Sequence, residues 1–155
     1  MATHNYTAGL RNVGSYQIAG HPFITGSTNL DNNKVHMIEF PYVCRSFTVV
    51  NISTPSTAEL RVHFQSGSTT AVTGPGDSNA QTIADTGDVI AGNHFIYVGP
   101  GSGSVTMNVR CSKIYISNGS GTNDIHYQVF AELTTIPTGS MYKLTGSGIT
   151  EIYTE

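Results

Sequence analysis

IHYQVFAEL, residues 125–133, alternates without a break, with Ile125, Tyr127, Val129, Ala131 and Leu133 on one side and His126, Gln128, Phe130 and Glu132 on the other. Period two marks a strand with one face on a core and the other wet or against a partner. The same pattern extends along the chain. Strands are expected at 34–40, 43–52, 59–65, 94–98, 104–111, 113–117 and 125–133, with weaker ones at 15–19, 23–26 and 81–84. Turn-rich strings such as SGS, TGPGDSN, GPGSGS and NGSGTND bound them. Helical periodicity is nearly absent, so a βαβ architecture is not expected. The fold class is read as all-β, an antiparallel β-sandwich, jelly-roll-like, with extended arms. The core is placed at 34–136, between an N-terminal arm (1–33) and a C-terminal arm (137–155).

A faint internal repeat accompanies the strands. CRSFTVVN (44–51) and CSKIYISN (111–118) share C-x-x-Φ-x-Φ-x-N, where Φ is apolar. At the same offset LRVHF (60–64) falls opposite YQVFA (127–131). Two equivalent hairpins, one in each sheet of a sandwich, would explain this; chance similarity between hairpins is the alternative.

Composition narrows the function. Of the 155 residues only 11% are charged, against about 25% in an average soluble domain. The formal net charge is −3, and the seven basic residues are scattered, so neither nucleic acid nor an anionic surface is an expected partner. No stretch approaches the roughly 20 apolar residues that span a bilayer, and the start, MATHNYTAGL, does not read as an export signal. Cys44 and Cys111 are too few for a zinc set and are expected as half-buried reduced thiols or as a cross-strand disulfide. Asn5, Asn51 and Asn118 each begin an N-x-S/T triplet, which carries no weight in a chain so rich in Ser and Thr.

No string nominates a catalytic centre. Asp85-Thr86-Gly87, within TIADTGDVI (82–90), resembles the Asp-Thr-Gly of retroviral-type aspartic proteases, where two such carboxyls share a proton across a dimer. The aliphatic run that precedes that triplet and a later I-G-R/N element are missing, and D-T-G-D between strands reads as a tight turn. His36, His63, His94 and His126 fall on expected strands without H-x-H or H-x-x-x-H spacing, and are expected on wet faces rather than around a metal. VGPGSGSV (98–105) lacks the Lys-Ser/Thr ending of a phosphate loop. The long loop at 66–81 is a candidate binding loop, but the chain has no Trp to platform a sugar. The expectation is a protein that is not an enzyme and takes no cofactor or metal.

The two arms carry apolar residues among glycines: Tyr16, Ile18, Phe23 and Ile24 near the start, and Met141, Tyr142, Leu144, Ile149, Ile152 and Tyr153 near the end. Ordering such segments costs about 1–2 kcal/mol per residue in backbone entropy. Half-covering these side chains on the chain's own surface returns less than covering both faces against a neighbouring subunit. They are the candidate interface residues, and TEIYT could add a strand to a sheet edge. RNVGSYQIAGHPFITGS near the start, AELTTIPTGSMYKLTGSGIT near the end, and the strand core FTVVN, LRVHF and KIYIS between them resemble small structural proteins of tailed-bacteriophage virions. They are most similar to the capsid decoration, or cement, proteins. That resemblance implies a homo-oligomer, often a trimer in that family, made in the host cytoplasm and seated on the outer capsid surface, where it bridges major capsid protein subunits. A tail, fibre or receptor-binding component contacting host glycans is the alternative it leaves open. The turn reading of Asp85 predicts that Asp85→Asn leaves every measured property unchanged, with no peptide cleaved at mildly acidic pH; cleavage abolished by that substitution would make Asp85 catalytic.

Overall fold

The computed structural model describes residues 9–10, 13, 20–32, 34–64, 81–82, 95–120 and 122–141. Among these, eight strands occur: β1 (His21–Leu30), β2 (Lys34–Asn51), β3 (Leu60–His63), β4 (Gln81–Thr82), β5 (Ile96–Val98), β6 (Gly103–Met107), β7 (Cys111–Asn118) and β8 (Ile125–Leu133), followed by a short 3-10 turn, Thr138–Ser140. All pairings are antiparallel. The alternation at 125–133 is the observed β8, buried at each odd position from Ile125 to Leu133.

The expected strands at 34–40 and 43–52 are one continuous, bent strand. Pro41 has no N–H to give to a ladder. The register of β2 against β7 shifts between Glu39 and Cys44. The bend is held from outside: the Val43 N–H donates to the Ile136 carbonyl at 2.9 Å, and the Val43 carbonyl accepts from the Thr134 N–H at 2.9 Å and the Thr134 hydroxyl at 2.8 Å. Val43 is buried there with Leu10 and Ile136. Residues 34–39 of β2 pair with β7, and residues 44–51 pair with β8 on one side and β6 on the other.

This bend makes two sheets out of one hydrogen-bonded path, as strands that turn corners do in sandwiches. One sheet runs β1, β8, the second half of β2, β6; the other runs the first half of β2, β7, β3, β5, with β4 beside Lys34 and Val35. Their inner faces share a core: Phe47, Val49, Val129 and Ala131 from the first sheet, Ile38, Leu60, Val62, Ile114 and Ile116 from the second. The chain is an all-β sandwich. Its core begins at residue 21 rather than 34, because β1 pairs with β8 from His21 to Leu30 and alternates Phe23 and Thr25 inward. The expected strand at 15–19 lies outside the described residues.

The repeat is present, but its strands are exchanged. Residues 44–51 do not pair with 60–63; they pair with β8, while β7 pairs with β3. The registers are equivalent: Asn51 lies opposite Tyr127 and Val49 opposite Val129, as Asn118 lies opposite Leu60 and Ile116 opposite Val62. The bonds just beyond match too, Ile52 N–H to the His126 carbonyl and Gly119 N–H to the Glu59 carbonyl, each 2.9 Å. Cys44 and Cys111 face each other, each beside its own repeat equivalent, so the pairing is twofold-symmetric about this point.

The Asn that closes each copy of the motif fixes each corner. Asn51 donates its amide to the Ala58 carbonyl (3.1 Å) and the Val98 carbonyl (3.0 Å) and accepts from the Ser53 N–H (3.0 Å). Asn118 donates to the Asn123 and Leu30 carbonyls (both 2.8 Å) and accepts from the Ser120 N–H (2.8 Å). Ala58 and Asn123 stand two residues before the next strand; Val98 and Leu30 end β5 and β1. Both amides are buried, and the Ser of each N-x-S triplet supplies the donor. Truncating either Asn strands buried donors and acceptors at about 1–3 kcal/mol apiece. Asn51→Ala and Asn118→Ala are each expected to destabilise the fold by about 2–4 kcal/mol, and by similar amounts, in urea denaturation.

Candidate interaction surface

The outer faces of the two sheets differ. On the second sheet the central outward positions Val35, Met37, Tyr115, His63 and Ser117 are buried, and Glu39 and Tyr97 toward its margins are exposed. On the first sheet one row crosses all four strands, Ile24 on β1, Phe130 on β8, Thr48 on β2 and Thr106 on β6. Ile24 is 75% exposed and Phe130 43%. The two threonine hydroxyls bond to each other at 2.8 Å, which spends polar capacity along the row. At the margin Glu132 takes a hydrogen bond from Ser46 (3.1 Å) and an ion pair from Arg45 (3.0 Å). That pair is about one-third exposed, so it contributes at most about 1 kcal/mol and acts mainly as a polar rim.

Of the ten interface candidates from the arms, three fall on described residues. Phe23 turns inward and meets Phe40 edge-on at 5.4 Å. Ile24, its neighbour on β1, points out onto the exposed row. Met141 packs against the Leu10, Val43 and Ile136 cluster, away from that row. Tyr16, Ile18, Tyr142, Leu144, Ile149, Ile152 and Tyr153 lie outside the described residues, as do Asp85, His94 and the loop at 66–80. Phe130 was not nominated from sequence, although an aromatic among His126, Gln128 and Glu132 on the polar side of a strand was the available signal.

The histidines on strands correct the expectation of wet faces. His36 is buried with Nδ1 3.0 Å from the Tyr127 hydroxyl, joining the two sheets across the core. His63 is buried with Nε2 3.0 Å from the Ser117 hydroxyl and its ring stacked on Tyr115 at 5.7 Å. Of the described histidines expected on strands, His126 is exposed, as is His21 at the start of β1. The cysteines also differ from half-buried: both are fully buried free thiols.

A groove of about 330 Å³ opens beside β1, lined by Gly26, Ser27, Asn29, Ile52, Tyr127 and Gln128 among others. Its chemistry is modest. The Ser27 hydroxyl is engaged within the chain turn by Asn29, donating to Oδ1 at 3.1 Å and accepting from the N–H at 3.3 Å. Burial raises the Tyr127 phenol well above its usual range, so it stays protonated and bonded to His36. No cluster of three or more His, Cys, Asp or Glu side chains able to hold a metal occurs among the described residues.

Comparison with known proteins finds no match: no protein-family model matches the chain, and neither does any curated protein or solved structure. Side chains on the exposed row carry little of the fold's stability, so Ile24→Ser and Phe130→Ser are expected to shift the unfolding free energy by no more than about 1 kcal/mol. Phe47→Ala, in the core beneath them, is expected to cost about 3–5 kcal/mol in the same denaturation assay.

Proposed function

We propose that this chain is a structural protein of a tailed-bacteriophage virion, a non-enzymatic decoration protein that stabilises a capsid by covering and bridging its subunits. The observation that carries this reading is the exposed Ile24–Phe130 row on the outer face of one sheet, where the central outward positions of the other sheet, Val35, Met37 and Tyr115, are buried. An apolar pair set among uncharged polar groups suits burial against another protein better than it suits water. The sequence resemblance to cement proteins supplies the partners: the chain itself, as a trimer, and the major capsid protein on the outer shell.

The connectivity supports the finer, jelly-roll form of the fold. With the halves of β2 counted as separate strands and the short β4 set aside, one sheet carries the first, eighth, third and sixth strands. The other carries the second, seventh, fourth and fifth. That interleaving is the order expected of a double Greek key. Such a scaffold presents flat sheet faces rather than an enclosed pocket, which fits binding by interface burial.

Light scattering on the full chain and on a version ending at Pro137, each with and without Phe130→Asp, tests the proposal together with co-sedimentation on phage shells. A trimer that sediments with shells, and loses one or both properties with Phe130→Asp, is the expected result. A monomer at high concentration that ignores shells would overturn it. Glycan binding lost on deleting 66–81 would point instead to a fibre or receptor-binding component.

A further inference from the structure

Cys44 and Cys111 face each other across the β2–β7 ladder at the symmetry point of the strand pairing. Directly opposed residues in an antiparallel pair hold their Cα atoms about 4.5 or 5.5 Å apart. Both distances fall inside the window of about 4.4–6.8 Å that a disulfide requires. The two thiols are buried, 0% and 1% exposed, and both are free. Cys44 donates to the carbonyl of Ser46 at 3.0 Å.

We propose that Cys44 and Cys111 form a built-in oxidative latch, a modification site at which peroxide converts the two thiols into a disulfide that locks β2 to β7. The step balances with one peroxide per pair. The sulfur of one thiolate attacks a peroxide oxygen, the O–O bond breaks, and hydroxide leaves, which takes up a proton to become water. The cysteine sulfur is oxidised to a sulfenic acid. The second thiol then attacks that sulfur, its proton passing to the departing hydroxyl, and the S–S bond forms as a second water leaves. Two sulfurs are oxidised and one peroxide is reduced to two waters.

The surroundings make the latch slow and selective. Cys111 is held protonated by the hydrogen bond to Cys44 and by burial, so the thiolate that reacts is scarce in the closed fold. Burial also favours a small oxidant over a bulky disulfide. Once formed, the bond closes a loop of roughly 70 residues, which removes entropy from the unfolded chain. It lies between the half of β2 in one sheet and the strand run β6–β7 that crosses with it, so it fixes the corner itself. This inference does not rest on the virion reading.

The full chain is treated with hydrogen peroxide, then analysed by intact mass, by alkylation after unfolding, and by thermal denaturation with and without dithiothreitol. The expected result is a single chain, not covalently linked to another, lighter by about two hydrogens, with neither thiol alkylatable. Its Tm is expected to rise by about 10 °C, a gain lost on reduction and absent in Cys44→Ala and Cys111→Ala. Thiols that remain alkylatable, that advance to sulfinic or sulfonic acid, or that link separate chains would overturn the proposal. A disulfide that lowers Tm would overturn the latch as well.

Discussion

Two buried side-chain amides, Asn51 and Asn118, hold the architecture in place. Each stands where a strand ends and the chain leaves one sheet for the other, the point at which backbone groups lose their ladder partners. Each amide supplies both donors and its acceptor to such groups. A buried primary amide is costly to desolvate, so it stabilises only where the geometry satisfies it fully. Here that geometry joins three segments that are distant in sequence: the end of one strand, the approach to the next, and the far end of an edge strand from the other copy. A shift of register by one residue would turn the amide out of the corner and strand all three, so the interaction specifies register as well as contributing free energy.

The strand exchange follows from those corners. Residues 44–51 and 60–63 cannot remain a hairpin once the chain crosses between sheets at Asn51, and each must find an edge supplied by the other copy. The sandwich therefore interleaves two copies of one pattern. Its surfaces do not share that symmetry. Outward positions on the second sheet, Val35, Met37 and Tyr115, are apolar and buried, whereas the first sheet presents Ile24 and Phe130 beside Thr48 and Thr106. Equivalent scaffolds with unlike faces leave one side of the molecule free to specialise in contact while the other completes the core.

Legibility in the sequence tracked how many faces of each strand are buried. β8 has one dry face and one open face, so strict alternation set out its limits residue by residue. β7 is buried along its whole length, Cys111 to Asn118, and the first half of β2 nearly so. Alternation then loses its meaning, and His36 and His63 read as solvent-facing because their neighbours were apolar on both sides. The bend at Phe40–Val43 read as a break because Pro41 ends ladders, and nothing local announced that Thr134 and Ile136 would satisfy Val43 from across the chain. The repeat was visible as C-x-x-Φ-x-Φ-x-N, yet its exchanged pairing was not, since a motif records what each strand contains and not which edge receives it. On the contact surface, Ile24 was legible as an apolar residue in a glycine-broken segment. Phe130 was legible as belonging to the outward face of β8, but the candidate interface was sought in the arms rather than on that face.

The interleaving also determines how the fold must be reached. Apart from the short turns, the strand pairs join residues far apart in the chain: β1 with β8, the second half of β2 with β8, β3 with β7. No sheet can be completed from one copy alone, because every inner strand has neighbours from the other. Loop closure over such separations comes before most of the core is buried, which slows folding and concentrates it in one cooperative step. The long β2 strand is the natural organiser of that step. It contributes to both sheets, carries Asn51 at one end, and meets β6, β7 and β8 along its length. Once it is paired, Cys44 and Cys111 are brought together and the bend at Pro41 is clasped by Thr134 and Ile136. The same strand that divides the sandwich into two sheets is therefore the one that makes it a single unit.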